Sequence, residues 1–185
     1  MTRRRPAAAV PSPRPPGPPA ADAVPGVWRT LVIGYGSPIR GDDAIGPLAA
    51  DALAAAPLPP GWRVLSRHVL TAELAEDLAA VDRVIFLDAS VRGRPGEVQV
   101  CTLEPDAHAI STMAHFLDPR ELLAWCETLY RRVPQAWLVS AAGASFDYAS
   151  YRLGPAAAAA VPVMLAEVRR LAAAPCARTG PAAVP

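Results

Sequence analysis

The sequence predicts a doubly wound α/β domain: a mostly parallel, twisted, five-stranded sheet with helices on both faces and one antiparallel strand. Two runs, residues 31–33 and 83–87, are short, apolar and β-branched, as strands buried on both faces are. Segments of strand period alternate with segments of helix period, the pattern that winds a parallel sheet. Only residues 89–96 separate the third strand from the fourth. A parallel crossover needs about a dozen residues or more, so the fourth strand is expected antiparallel, at a sheet edge.

The first strand, Leu31-Val32-Ile33, breaks at Gly34 and Gly36 and passes through Ser37, Pro38, Ile39 and Arg40 to the adjacent carboxylates Asp42 and Asp43. Asp42 is expected to cap the helix that follows, which repeats apolar residues at Ile45, Leu48, Ala49 and Leu53. A dinucleotide-binding turn would need Gly-x-Gly-x-x-Gly, but Ile39 stands at the third glycine position. Two aspartates at the helix start would also repel a phosphate. The loop therefore reads as one that presents a carboxylate.

A proline-dense loop, 57–61, leads to a second strand over 62–69, with His68 inside it. Thr71 is expected to cap a helix over 72–80 with Leu74 and Leu78 on one face. The third strand, 83–87, runs straight into Asp88, and the fourth spans 97–103. A polar stretch carrying His108 and His115 follows. Asp118-Pro119-Arg120-Glu121 then supplies a cap, a proline at the first helical position and a glutamate at the third. That helix is expected to reach about residue 131 and to bury Leu122, Trp125, Cys126 and Leu129. Residues 136–142 form the fifth strand and 143–154 a loop. Pro162 is expected to end a short turn and start the C-terminal helix, because proline cannot sit unperturbed inside one.

The chain of 185 residues suits one domain, placed at 28–174. Residues 1–27 are rich in Pro, Ala and Arg and are expected to be a disordered tail; prolines 11, 13, 15 and 16 break any apolar region after Arg3-Arg4-Arg5. Residues 175–185 are expected to be a second, flexible tail. A net charge of +1 points to neither nucleic acid nor an anionic membrane. No apolar stretch approaches the roughly 20 residues that span a bilayer. Cys101, Cys126 and Cys176 have neither zinc-site nor redox spacing, which fits free thiols in a reducing cytoplasm.

Loops after the first and third strands of a parallel sheet open on one edge, where such folds bind ligands. That edge receives Asp43 and Asp88, and His115 lies on a loop free to reach it. Two carboxylates and an imidazole suit a borderline divalent ion such as Ni²⁺, Zn²⁺ or Mn²⁺ and leave positions open for a substrate. Asp42 and Asp43 diverge as neighbours on a helix do, so Asp43 is the one left for the site. His68 is expected to pack within its strand, and Trp62, Trp125 and Trp137 in the core.

At these residues the sequence resembles the hydrogenase maturation proteases, which trim the large subunit of nickel–iron hydrogenases. Their Gly-x-Gly-Asn/Ser-Pro-x-x-x-Asp-Asp/Glu-x-x-Gly pattern appears from Gly34 to Gly46. Leu70-Thr71-Ala72-Glu73-Leu74, Leu87-Asp88-Ala89, Pro95-Gly96, His115-Phe116-Leu117-Asp118-Pro119 and Gly143-Ala144-Ser145-Phe146-Asp147 resemble later family segments, in order. Ser37 replaces the usual Asn, Asp43 stands where some members have Glu, and Leu153-Gly154-Pro155 replaces Leu-Ser-Pro.

The resemblance implies a three-layer α/β sandwich. It implies an endopeptidase that removes the C-terminal extension of a nickel-loaded large-subunit precursor. The metal-contacting residues carry over to Asp43, Asp88 and His115, and Gly36, Ser37 and Asp42 to the loop facing the substrate. The nickel is expected to arrive with the substrate, the free enzyme holding none of its own. The motif names no nucleophile. Two alternatives are a non-catalytic, nickel-dependent binding partner of the large subunit and a small-molecule hydrolase on the same scaffold.

Overall fold

The computed structural model describes residues 29–108, 117–150 and 152–175. Residues 1–27, expected as a tail, lie outside the described residues, as do His115, Cys176 and all of the second tail but Pro175. The strands are β1 (Thr30–Tyr35), β2 (Trp62–Arg67), β3 (Arg83–Ser90), β4 (Val98–Leu103) and β5 (Gln135–Ala142). The helices are α1 (Ile45–Ala54), α2 (Leu74–Ala79), α3 (Pro119–Tyr130) and α4 (Pro155–Ala173), with a 3₁₀ turn at Gly41–Ala44 before α1.

The five strands lie in the order β2-β1-β3-β5-β4. β1 runs parallel to β2 and β3, and β3 parallel to β5. β4 pairs antiparallel with β5 at the edge, as the short link predicts. Alternation along the strands divides the core in two. Val32, Ile85, Leu87 and Val139 pack with Ile45, Ala49, Met164 and Val168 of α1 and α4. Leu31, Ile33, Val84 and Phe86 pack on the other face with Leu74, Leu78, Leu122 and Cys126 of α2 and α3. The result is an α/β sandwich of three layers. Each such aliphatic or aromatic side chain, fully buried, contributes about 1.5–3 kcal/mol.

Glycines let α1 lie directly on the sheet. A Cβ at Gly46 would fall 2.3 Å from the Tyr35 carbonyl oxygen and 2.4 Å from that of Leu87. At the opposite edge, the buried Arg83 side chain donates to the carbonyls of Ala172 and Ala174, capping the end of α4 where a cation also meets the negative helix terminus.

Several expectations are corrected. Asp42 does not cap its helix: the 3₁₀ turn follows Arg40 without a side-chain cap, and the Asp42 carboxylate is engaged elsewhere. α2 begins at Leu74, after a turn in which the Thr71 carbonyl accepts the Leu74 N–H at 3.1 Å. Glu73, at the cap position, makes no side-chain cap bond. β2 stops at Arg67, leaving His68 exposed beyond it. β3 continues past Leu87, because β5 is long enough to pair Asp88 with Ser140 and Ser90 with Ala142.

Leu48, Trp125 and Leu129 lie on the outer faces of their helices, Leu129 half exposed; helical period alone placed them inside. Leu123 is buried instead. Asp118 does cap α3, accepting the Arg120 N–H at 2.8 Å with Pro119 first in the helix. α4 runs unbroken through Pro162. Proline removes the hydrogen bond to the carbonyl four residues back, here that of Ala158, and both residues face solvent, where water replaces the lost donor.

Candidate active site

The site is built at the C-terminal edge of the parallel strands, on the side covered by α2 and α3. β1 delivers Tyr35 to that edge and then turns sharply at Gly36, whose φ of +140° L side chains rarely adopt. A Cβ there would lie 2.0 Å from the Asp43 carbonyl oxygen, so only glycine lets the loop close on itself. The closed loop returns Asp43 to Ser37: the Ser37 N–H donates to Asp43 Oδ2 at 2.8 Å. That bond fixes one carboxylate oxygen.

Asp42 turns the other way. It is buried, 1% exposed, and its carboxylate accepts three backbone N–H groups: Ala144 at 2.7 Å, Ser145 at 3.1 Å and Gly154 at 2.6 Å. Burial raises its pKa, but these three donors outweigh that, and the group titrates below the usual carboxylate range. The Asp42 N–H also donates to the Ser145 carbonyl, and the Gly41 N–H to that of Ser150. The first loop and the connection from β5 to α4 are thus one unit. Ser37 in this loop is also buried.

Asp88 stands on β3 beside this loop, half-buried. Burial is the main cause that pushes its pKa up, to about 7; the charges of Asp43 and Asp118 push it further. The Tyr35 hydroxyl nearby and the Ala89 N–H, which donates to Oδ1 at 2.7 Å, act against the rise. Tyr35 is raised well above its usual value by burial and by the neighbouring Asp88 charge.

The structure puts Asp43 near enough to Asp88 for its charge to act on that carboxyl. It adds Tyr35 and Asp118, which sequence reasoning used only as a strand residue and a helix cap. Alternation along β1 and β3 was the signal available for Tyr35. His115 lies outside the described residues, and His108 and His68 are exposed. Among the described residues no three His, Cys, Asp or Glu side chains form a metal-binding group. Asp43 and Asp88 offer two oxygen donors whose mutual repulsion a cation would relieve, so the pair fits a divalent ion bound jointly with other ligands.

No protein-family model and no curated protein sequence matches the chain. Solved structures do match. The hydrogenase maturating endopeptidase HybD of E. coli is 24% identical over 77% of this chain and 91% of its own, with a TM-score of 0.66. A hydrogenase 2 maturation peptidase from a Thaumarchaeota archaeon is 25% identical over 78% and 98%, with a TM-score of 0.59. An endopeptidase of E. coli is 26% identical over 76% and 89%, with a TM-score of 0.61. In fold, this chain is similar to these maturation endopeptidases.

Proposed function

We propose that the protein is an endopeptidase that removes the C-terminal extension from a nickel-loaded precursor of a nickel–iron hydrogenase large subunit. One observation carries the reading: Asp43, on the loop after β1, lies near enough to Asp88 on β3 for its charge to act there, and each carboxylate is held by a backbone N–H on a scaffold shared with endopeptidases of that name. The two carboxylates would contact the nickel that the substrate brings, with His115 as the third contact. The ion would supply charge stabilisation at a scissile carbonyl or at an attacking water. The chain's own part is to hold the two carboxylates at a set spacing and to keep the loop at Ser37 rigid where the precursor's extension passes.

No described helix is long and apolar enough to cross a membrane. A cytoplasmic setting, with a protein precursor as partner, suits the free thiols Cys101 and Cys126.

The test is incubation of the purified protein with nickel-loaded and nickel-free precursor, read by intact mass. Loss of a C-terminal fragment from the loaded precursor alone is the expected result. Binding without mass loss would move the assignment to a non-catalytic partner. No interaction with either precursor would remove it.

A further inference from the structure

We propose that the cleft between α1 and the end of β2 is a specificity pocket: it takes one large apolar side chain of the precursor, from the extended stretch of chain that flanks the cut. The inference rests on the function proposed above and names the part of the substrate that the site reads.

Gly36 and Pro38, which flank Ser37, line the cleft together with Pro47 and Leu48 of α1 and Ser66 of β2. Its volume is about 320 Å³. That is the small end of the range of ligand sites, roughly 300–1,000 Å³, and suits a single side chain. Asp51, Arg67 and His68, all exposed, add polar groups to the lining. Apolar and polar groups meet in the cleft as they do on recognition surfaces.

The sequence makes the cleft in two places. On the face of β2 that packs with α1 and α4, Trp62 and Val64 join the core, and alternation puts Ser66 next on that face. The side chains shrink toward the end of the strand. Ser66 also lies opposite Gly34 in register, which has no side chain to fill the space. On α1, Leu48 is 43% exposed, although Ile45, Ala49 and Leu53 of the same helix are buried. A single exposed leucine is ordinary. This one shares a concave surface with two prolines, beside the loop that carries Asp43.

The occupant follows from that position. Ser37, between Gly36 and Pro38, holds Asp43 through its N–H, so a chain cut at the two carboxylates runs beside the cleft. β2 is at the edge of the described sheet, and an edge strand offers its backbone groups to an extended chain. Such a chain turns alternate side chains to opposite faces, and one of them, on the α1 face, meets Ser66 and Leu48. An apolar pocket selects among side chains by about tenfold or more for each methylene.

The experiment measures binding of nickel-loaded precursor by calorimetry and its cleavage by intact mass. The proteins are wild type, Leu48→Ser, Ser66→Phe and, as a control on the outer face of α3, Leu129→Ser. Thermal unfolding shows which are intact; Leu48→Ser changes an exposed position and serves alone if Ser66→Phe does not fold. Leu48→Ser and Ser66→Phe should each weaken binding and lower kcat/KM by about tenfold or more, and Leu129→Ser should do neither. Each residue flanking the cut is also changed in turn to aspartate in the precursor. One position should impair wild type most, and Ser66→Phe, whose pocket is filled, should lose that discrimination. Wild-type binding and cleavage by both cleft variants would overturn the pocket and leave the cleavage reading standing. Losses with no sensitive position on the precursor would overturn it too. Binding that the variants weaken, with no cleavage by wild type, would keep the pocket and overturn the cleavage reading. A wild type that neither binds nor cleaves the precursor would remove both.

Discussion

Asp42 Oδ1 accepts the backbone N–H of Gly154 at 2.6 Å, joining the loop after β1 to the residue that precedes α4. Its other oxygen holds Ala144 and Ser145. The neighbouring carboxylate, Asp43, is held among the described residues by the Ser37 N–H. Two adjacent acids have divided the work: one builds the loop, and the other is offered at its surface.

Asp42→Ala should accordingly damage the fold more than the chemistry. It strips three buried or part-buried N–H donors of a charged acceptor, and leaving such donors unmet costs about 1–3 kcal/mol each. A loss of about 3 kcal/mol or more is expected, which is roughly 6–12 °C in unfolding midpoint for a domain of this size. The pH dependence follows from the lowered pKa. Asp42 is charged in both states above the ordinary value of 3.8, where its contribution is fully present, and that contribution is lost as pH falls through the folded value. The gap between wild type and variant should hold from neutral pH down to about pH 4 and narrow only below it. Unfolding followed by circular dichroism across pH checks both; a gap that closes near neutrality would contradict the clamp.

The parts of this arrangement differ in how far the chain betrays them. The parallel core of the sheet and the antiparallel β4 follow from local runs and loop lengths, which are near-neighbour properties. The Asp42 clamp does not, because its donors lie more than a hundred residues away and nothing local marks Ala144, Ser145 or Gly154 as its partners. A capping reading of Asp42 satisfied the same physical need, unmet N–H groups beside a carboxylate, with the wrong N–H groups. Trp125 and Leu129 failed for another reason: period identifies a helical face but not how far around the helix the sheet reaches. Tyr35 and Asp118 became part of the site only when strand register and the placement of α3 set them beside Asp88.

Gly46→Ala tests the contact between α1 and the sheet. The added methyl would stand 2.3 Å and 2.4 Å from two backbone oxygens, which cannot rotate away as a side chain can. α1 would have to lift, dragging Asp42 and Asp43 with it. Overpacking typically costs about 1–3 kcal/mol and more where backbone must move, so a destabilisation of about 3 kcal/mol is expected, with loss of cleavage. Denaturant titration measures the first. A stable, active Gly46→Ala protein would mean that helix and sheet are not in contact there.

Asp88→Asn should separate stability from function. The folded carboxyl has a pKa raised to about 7, against 3.8 as the ordinary value. Below the ordinary value both states hold the proton and the group has no effect. As pH rises toward 7 the unfolded state releases its proton first, so wild type loses stability across that window, by on the order of a few kcal/mol in full. The amide never ionises. Asp88→Asn should therefore match wild type near pH 4 and unfold at a higher temperature at pH 8, while cleaving nickel-loaded precursor far more slowly. Equal midpoints at pH 8 would show that burial does not penalise this carboxylate.

The histidine is tested by a pair of substitutions. His115 lies three residues before Asp118, and three residues of chain span at most about 11 Å. Asp118 is close enough to Asp88 for its charge to raise that carboxyl's pKa. His108 is exposed, its backbone N–H donates to Asp106 at 2.9 Å, and it lies seven residues further along the chain from Asp118 than His115 does. A neutral imidazole suits a borderline ion such as nickel, and alanine offers no donor in its place. His115→Ala should lower the cleavage rate of nickel-loaded precursor by at least about tenfold, the scale on which even groups that merely orient a metal's ligands act. His108→Ala should cleave at the wild-type rate, and both proteins should unfold near the wild-type midpoint. Should His108→Ala lose activity while His115→Ala keeps it, the third contact belongs to His108.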